Sequence, residues 1–222
     1  HGVIFVTGPT GSGKSTTLYA CLNRLDSTVK NIMTVEDPIE YQLNGISQMQ
    51  VSLKKGMTFV NALRHILRQD PDVIMVGEVR DHETAAMAIQ SSLTGHLVFS
   101  TLHTNDAAGA ISRLLDFKIE PYLVSSSLIG VMAQRLVRRI CPDCRTAYKP
   151  SPQELIELGL DDADGERMFY VGAGCAKCFD TGYRGRMGIY ELMTVNETIR
   201  DMIYQRQTAG AIKKAALEAG MQ

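Results

Sequence analysis

Several features that would redirect the search for a function are missing from this sequence. No apolar run reaches the roughly 20 residues that a membrane-spanning helix needs, which excludes direct membrane insertion as the expected mode of action. The N-terminus carries neither the basic segment nor the cleavage site of a signal peptide. Positive charge is not in excess either. With 23 Lys and Arg against 24 Asp and Glu, no general basic surface is available to neutralise a nucleic-acid backbone, and Arg135, Arg138 and Arg139 form the one obvious basic cluster. Internal repeats and low-complexity tracts are absent as well. These absences predict a soluble, cytosolic protein without a nucleic-acid partner.

What is present suits one large globular domain, or one domain with a small appendage: 222 residues, 45% hydrophobic and 21% charged. The chain passes from His1-Gly2 straight into Val3-Ile4-Phe5-Val6 and stops at Ala219-Gly220-Met221-Gln222, so it is expected to be a piece of a longer protein. Up to about Ile140, short apolar strands alternate with amphipathic helices, the pattern of a mostly parallel sheet covered on both faces. Strands are predicted over 3–7, 32–35, 73–76 and 97–101. Asn44-Gly45 supplies the positive φ angles of a two-residue turn, which predicts a hairpin between 41–43 and 46–51. Leu18, Cys21, Leu22 and Leu25 share one helical face, as do Phe59, Leu63, Ile66 and Leu67. Asp81 and Asp106 are placed to cap the next two helices. After Ile140 the pattern changes, because two CxxC pairs bracket a polar stretch in which Ser151-Pro152-Gln153-Glu154 reads as a capping box. A further strand over 189–195 and a helical segment capped by Asn196 follow. The expected parts are an α/β core over 1–140, a four-cysteine module over 141–180 and a C-terminal strand and helical segment over 181–222.

Gly8-Pro9-Thr10-Gly11-Ser12-Gly13-Lys14-Ser15 matches GxxxxGK[ST] in full, follows a predicted strand and opens a predicted helix. Such a loop lets backbone N–H groups curl around phosphates while the positive end of the helix dipole faces the anion. Lys14 is expected to reach the β- and γ-phosphates of ATP, and the Ser15 hydroxyl to bind Mg²⁺.

Carboxylates follow at two other predicted strand tips. Glu36, Asp37 and Glu40 cluster after the second, where ligands of parallel sheets bind and where a carboxylate can orient the attacking water of phosphoryl transfer. The third strand, 72–76, has the apolar run of a Walker B element but Gly77 where Asp is usual, which leaves Glu78 as the acid to partner Mg²⁺, directly or through water. His103 lies just past the fourth strand, where an imidazole can sense a γ-phosphate. His96, at the other flank of that strand, is open to a structural or a functional reading.

Cys141-Pro142-Asp143-Cys144 and Cys175-Ala176-Lys177-Cys178 are two knuckles whose four thiolates fit tetrahedral Zn²⁺. Disulfides are the rival, disfavoured where thiols stay reduced. A thioredoxin-like redox role is weaker, since neither pair opens a helix in a suitable βα unit. Cys21, on the apolar face of the first helix, reads as a core residue.

Taken together, these residues resemble the assembly ATPases of type II secretion and type IV pili. Their signature elements occur in order: GPTGSGKST from Gly8, an Asp box TVEDPIE from Thr34, a Walker B DPDVIMVGEVRD from Asp70 and a His box TGHLVFSTLHTNDA from Thr94. The resemblance implies a RecA-like P-loop NTPase core, a six-membered homomeric ring and nucleotide held between subunits. It makes Glu36 the catalytic glutamate, Glu78 the Walker B acid with Gly77 normal for the family, and His103 the His-box residue, and it brings Thr16 to the α-phosphate. Retraction motors of the family lack the CxxC pairs, so the resemblance is to the assembly branch, and the segment 125–137 is closer to the type II secretion ATPase.

The function so implied is an ATP-driven motor that acts on inner-membrane platform proteins to assemble pseudopili, cytoplasmic and peripheral to that membrane through its partners. A type IV pilus extension ATPase is the alternative. A RecA-like nucleic-acid translocase, a small-molecule kinase and a nucleotide-dependent interaction module are more distant ones. Arg80, Arg113 and Arg135 are the candidates within this stretch for a cation supplied across a subunit boundary. The family places some such arginines in a preceding domain, so this stretch is expected to bind nucleotide and turn it over poorly.

Overall fold

A computed structural model describes residues 1–160 and 167–221. The acidic positions 161–166, inside the segment read as the cysteine module, and Gln222 lie outside the described residues. In order, the chain forms β1 (Gly2–Thr7), α1 (Lys14–Leu22), β2 (Ile32–Glu36), β3 (Ser47–Gln50), α2 (Phe59–Ile66), β4 (Val73–Val76), α3 (His82–Leu93), β5 (Leu97–Leu102), α4 (Ala107–Asp116), α5 (Pro121–Ser127), β6 (Leu128–Ile140), β7 (Arg145–Tyr148), α6 (Pro152–Glu157), β8 (Phe169–Gly172), β9 (Tyr183–Thr194), α7 (Glu197–Tyr204) and α8 (Ala209–Glu218).

A seven-stranded sheet has the order β3-β2-β4-β5-β1-β6-β9. β1 pairs in parallel with β5 and β6, and β2 pairs in parallel with β3 and β4. β4 shows why the fold needs helices on both faces. Its four residues are all buried, and they alternate: Ile74 and Val76 join one apolar cluster, Val73 and Met75 the other. Leu18 and Leu22 of α1 cover the face of Val73, and residues of the other core helices, such as Leu63, Ile89 and Ile111, cover the face of Ile74.

The chain divides into two compact units, residues 1–135 with 189–222, and residues 136–188. This differs from three consecutive segments. Met193, Val195, Ile199, Ile203 and Ile212 are buried in the same cluster as Val3 and Phe5, so residues 189–221 complete the first core. Within the second unit, β7 and β8 form an antiparallel pair, and α6 starts on the capping box of Ser151 and Glu154.

The hairpin expected around Asn44-Gly45 does not form. The turn is present, with Gly45 at φ 74°, but the Leu43 N–H donates to the Gln48 side chain at 2.7 Å in place of a strand partner. Ser47–Gln50 then lies parallel to β2 as the edge strand β3, with Met33 opposite Ser47. The sequence reading also placed no strand over β6, whose apolar run is interrupted by Gln134 and Arg135.

The helix starts follow the capping rule. Asp81, Asp106 and Asn196 each accept a hydrogen bond from the backbone three residues on. Asp106 also lies 3.4 Å from Lys213 Nζ, on α8. Because the cap satisfies an orphan N–H whereas the ion pair is solvent-facing, Asp106→Ala should cost about 1 kcal/mol and Lys213→Ala under about 0.5 kcal/mol. Urea denaturation of the two variants checks the order; the reverse order would make the ion pair the stronger link.

Candidate active site

β1 ends directly in the glycine loop. Gly11 and Gly13 adopt left-handed φ of 76° and 87°, which turns successive N–H groups to one side and lets Gly13 cap α1. Gly8 answers to a different constraint: a Cβ there would lie 2.3 Å from the carbonyl oxygen of Gln134, on β6. Lys14 Nζ donates to the carbonyls of Gly8 at 2.9 Å and Pro9 at 3.1 Å, folding the ammonium back over its own loop. Burial pulls the Lys14 pKa below its ordinary value, and the Glu78 carboxylate works against that shift. Ser15 and Thr16 are exposed in the first turn of α1. The Ser12 hydroxyl is, among the described residues, the buried side-chain polar atom without a hydrogen-bond partner.

Glu78 follows β4 and is largely buried. It pairs with Arg80, and His103 Nε2 stands 3.6 Å from its other oxygen. Lys14, Glu78 and His103 therefore converge, although they come from the ends of β1, β4 and β5. Glu78 and Asp37 also line an open cleft of about 540 Å³ with Arg80, Asp81 and Thr58. Gly77 has a packing reason: a Cβ there would sit 3.3 Å from both Glu36 Cα and the Val35 carbonyl oxygen, where the tips of β2 and β4 approach.

Glu36 has a different set of partners. It is 3% exposed, and its oxygens accept from the Tyr19 hydroxyl, from Thr34 Oγ1 at 2.6 Å and from Gln48 Nε2 at 3.0 Å. Burial, and next the bond to Glu36, push the Tyr19 hydroxyl up to about 12. His96 lies at the start of β5, the opposite end from His103, with Nδ1 2.8 Å from the Ser91 carbonyl oxygen, and serves the turn. Arg113 stacks 4.4 Å over the Phe117 ring, and Arg135 donates to Asn105 at 3.2 Å.

Three residues that sequence reasoning missed hold these parts in place. Tyr19 binds Glu36 as described. Thr7 Oγ1 lies 2.7 Å from Thr104 Oγ1 and accepts the Thr104 N–H at 2.8 Å, tying the tip of β1 to the loop that carries His103. Gln134 Nε2 donates to the Ser12 carbonyl at 2.6 Å, and Gln134 Oε1 accepts from Thr17 Oγ1 at 2.7 Å. Only Gln134 left a signal, as a polar residue inside the apolar run of β6.

In the second unit, the four sulfurs of Cys141, Cys144, Cys175 and Cys178 lie within 4.8 Å of one another. The closest pairs are 3.7 to 4.0 Å apart, too long for a disulfide at about 2.05 Å and close to the edge of a tetrahedron with metal–sulfur bonds of about 2.3 Å. Burial pushes Cys144 up to about 12. At Cys178 burial acts the same way but is outweighed by the N–H groups of Cys175 and Gly182, which draw it to about 7.

Tyr19→Phe removes one of the three donors on a buried carboxylate and should destabilise the protein by roughly 1–3 kcal/mol at neutral pH. The raised Tyr19 pKa contributes stability that is complete below its ordinary 10.0 and is lost as pH climbs through about 12. Denaturation curves taken between those limits should therefore fall less steeply with pH for Tyr19→Phe than for the parent; equal slopes would remove the Tyr19 hydroxyl as the cause.

The family model described as "Type II/IV secretion system protein" matches residues 1–222. Type II secretion system protein E of Dickeya dadantii is 60% identical over 208 residues, which cover 94% of this chain and 41% of that protein. Type IV pilus assembly ATPase PilB of Thermus thermophilus is 52% identical over 223 residues, 100% of this chain and 25% of that one. The chain thus spans less than half the length of these curated relatives. Among solved structures, the pilus retraction motor PilT with bound ADP aligns at a TM-score of 0.68 and 32% identity, over 100% of this chain and 58% of that chain. With a match along its whole length and relatives above half identity, this chain belongs to the type II/IV secretion system protein family.

Proposed function

We propose that this chain is the ATP-hydrolysing motor part of a type II secretion ATPase, acting as a homohexamer on inner-membrane platform proteins to assemble pseudopili. The observation that carries the reading is the phosphate loop: a left-handed glycine turn at the head of α1, with Lys14 folded over it and one buried hydroxyl, Ser12, left without a partner. An unpaired buried hydroxyl costs roughly 1–3 kcal/mol, which an anionic oxygen in the loop would relieve. The solved relative PilT holds ADP.

In this reading the backbone N–H groups of the loop from Thr10 to Gly13 and the Lys14 ammonium bind the phosphates, with Pro9 and Thr10 at the rim and Thr16 at the α-phosphate. Lys14 exchanges its two carbonyl partners for phosphate oxygens. Mg²⁺, held by Ser15 and Glu78, would neutralise charge on the β- and γ-phosphates. Glu78 is the acid aimed at the same region as Lys14, which fits that role. His103, beside Glu78, reads the γ-phosphate. Glu36 orients the attacking water, which requires one of its donors to give way; Gln48, on the edge strand β3 and at 3.0 Å against 2.6 Å for Thr34, is the one most readily exchanged. Arg80, Arg113 and Arg135 are engaged by Glu78, Phe117 and Asn105, so the cation that completes the site comes from outside this stretch. The four cysteines hold structural Zn²⁺, which their sulfur spacing suits. The protein works on the cytoplasmic side of the inner membrane, held there by its partners. Among the described residues no helix is long and apolar enough to cross a membrane. A type IV pilus extension motor is the second reading, favoured by the 52% identity to PilB.

In the full-length protein, Lys14→Ala should weaken ATP binding roughly 10- to 100-fold and abolish phosphate release. Undiminished turnover by that variant would end the motor assignment. Metal analysis of the purified protein should find about one zinc per chain, lost on Cys144→Ser; a metal-free parent with intact thiols would contradict the zinc assignment.

A further inference from the structure

β6 lies parallel to β1 with Ala133 opposite Thr7, which brings Gln134 alongside Gly8 at the entrance to the phosphate loop. Gln134 is 3% exposed, and three of its polar groups meet that loop or the helix that follows it. Its backbone carbonyl closes off the space beside Gly8. Its side-chain Nε2 donates to the Ser12 carbonyl at 2.6 Å, and its Oε1 accepts from Thr17 Oγ1 at 2.7 Å. The orientation of the amide is not arbitrary. A carbonyl can only accept, so the NH₂ end must face Ser12, and the Thr17 hydroxyl, which can donate, suits the oxygen end.

The Ser12 carbonyl belongs to the same peptide as the Gly13 N–H. That peptide is planar and trans, so its C=O and N–H point in opposite directions. Gly13, free of a Cβ, would otherwise let the plane rotate at little cost. Pinning the carbonyl onto β6 turns the Gly13 N–H away from the strand. Thr17, one turn into α1, anchors the far end of the amide, so the loop and the helix that follows it are referenced to the same side chain.

We propose that Gln134 is a positioning residue of the nucleotide site, whose amide fixes the peptide between Ser12 and Gly13 so that the Gly13 N–H is presented to the phosphates. This rests on the reading of the loop as an ATP site. Gln134→Met keeps length and packing and removes both hydrogen bonds. Gln134→Glu keeps the acceptor for Thr17, cannot donate to Ser12, and adds negative charge. Both should weaken ADP and ATP binding about tenfold or more, the Glu variant further, as read by nucleotide titration. In the full-length protein, KM for ATP should rise by more than kcat falls, a split that lost packing does not produce. The nucleotide-free melting temperature of Gln134→Met should fall by no more than a few degrees.

A second pair guards against a variant that does not fold: Thr17→Val should lose part of the affinity, and Thr17→Ser should retain it. Parent-like ADP binding by Gln134→Met, or equal binding by the two Thr17 variants, overturns the proposal while leaving the ATP reading intact. If the parent itself fails to bind ADP, the ATP reading falls and this role falls with it.

Discussion

Parallel pairing is the constraint on which the site depends. Because β1, β2, β4, β5 and β6 share one direction, Gly8, Glu36, Glu78 and His103 all lie at the C-terminal ends of their strands, with Gln134 of β6 level with Gly8, although they span more than half of the sequence. Each register fixes a relationship that no local rule supplies. Thr7 opposite Leu102 sets the phosphate loop beside the His103 loop, and Val35 opposite Val76 brings the backbone of Glu36 against Gly77. A slip of one residue in a strand buried on both faces would exchange its two apolar surfaces, so the same packing that forms the core holds the chemistry in line.

That arrangement draws polar groups into the interior, and the structure compensates nearly all of them. Glu36 has three donors, Thr7 and Thr104 satisfy each other, and the Gln134 amide is occupied at both ends. Among the described residues only the buried Ser12 hydroxyl is left over, and it sits in the phosphate loop. Compensation and function pull in different directions at Glu36. A carboxylate held by three protein donors is well ordered but has little spare capacity for water. The proposed catalytic role therefore asks for a rearrangement that the proposed Mg²⁺ role of Glu78, already facing Lys14 and His103, does not.

How much of this could be read from the sequence depended on the range of the interaction. The phosphate loop, the caps at Asp81, Asp106, Ser151 and Asn196, and the strand over 73–76 rest on neighbours a few residues apart, and they are where the sequence put them. The hairpin at Asn44-Gly45 shows the limit of a local signal. Its turn chemistry was sound, but β2 offered Ser47–Gln50 a parallel ladder and Gln48 took the Leu43 N–H. β6 went unseen because its identity as a strand comes from pairing with β1, 125 residues and more away in sequence. Gln134 and Tyr19 belong to the same class, since neither carries meaning until the fold places Ser12 and Glu36 beside them.

The second unit poses the opposite problem, too little interior. Among its described residues the buried hydrophobic side chains are Cys141, Leu155 and Cys178, while Ile156, Leu158, Val171 and Phe179 are exposed. Ordering each residue's backbone costs about 1–2 kcal/mol, far more than one leucine and two small thiols can offset by burial. The ion pair between Asp143 and Lys177, at 2.5 Å, links the two knuckles, but it is solvent-exposed and screened, and contributes little. A metal bound by four thiolates is of another magnitude, about 10–16 kcal/mol in small zinc domains. The two most enclosed hydrophobic side chains among the unit's described residues are themselves proposed ligands, so the proposed metal site and the core are the same place. This gives the four-sulfur cluster a structural reason to exist whatever the phosphate loop does.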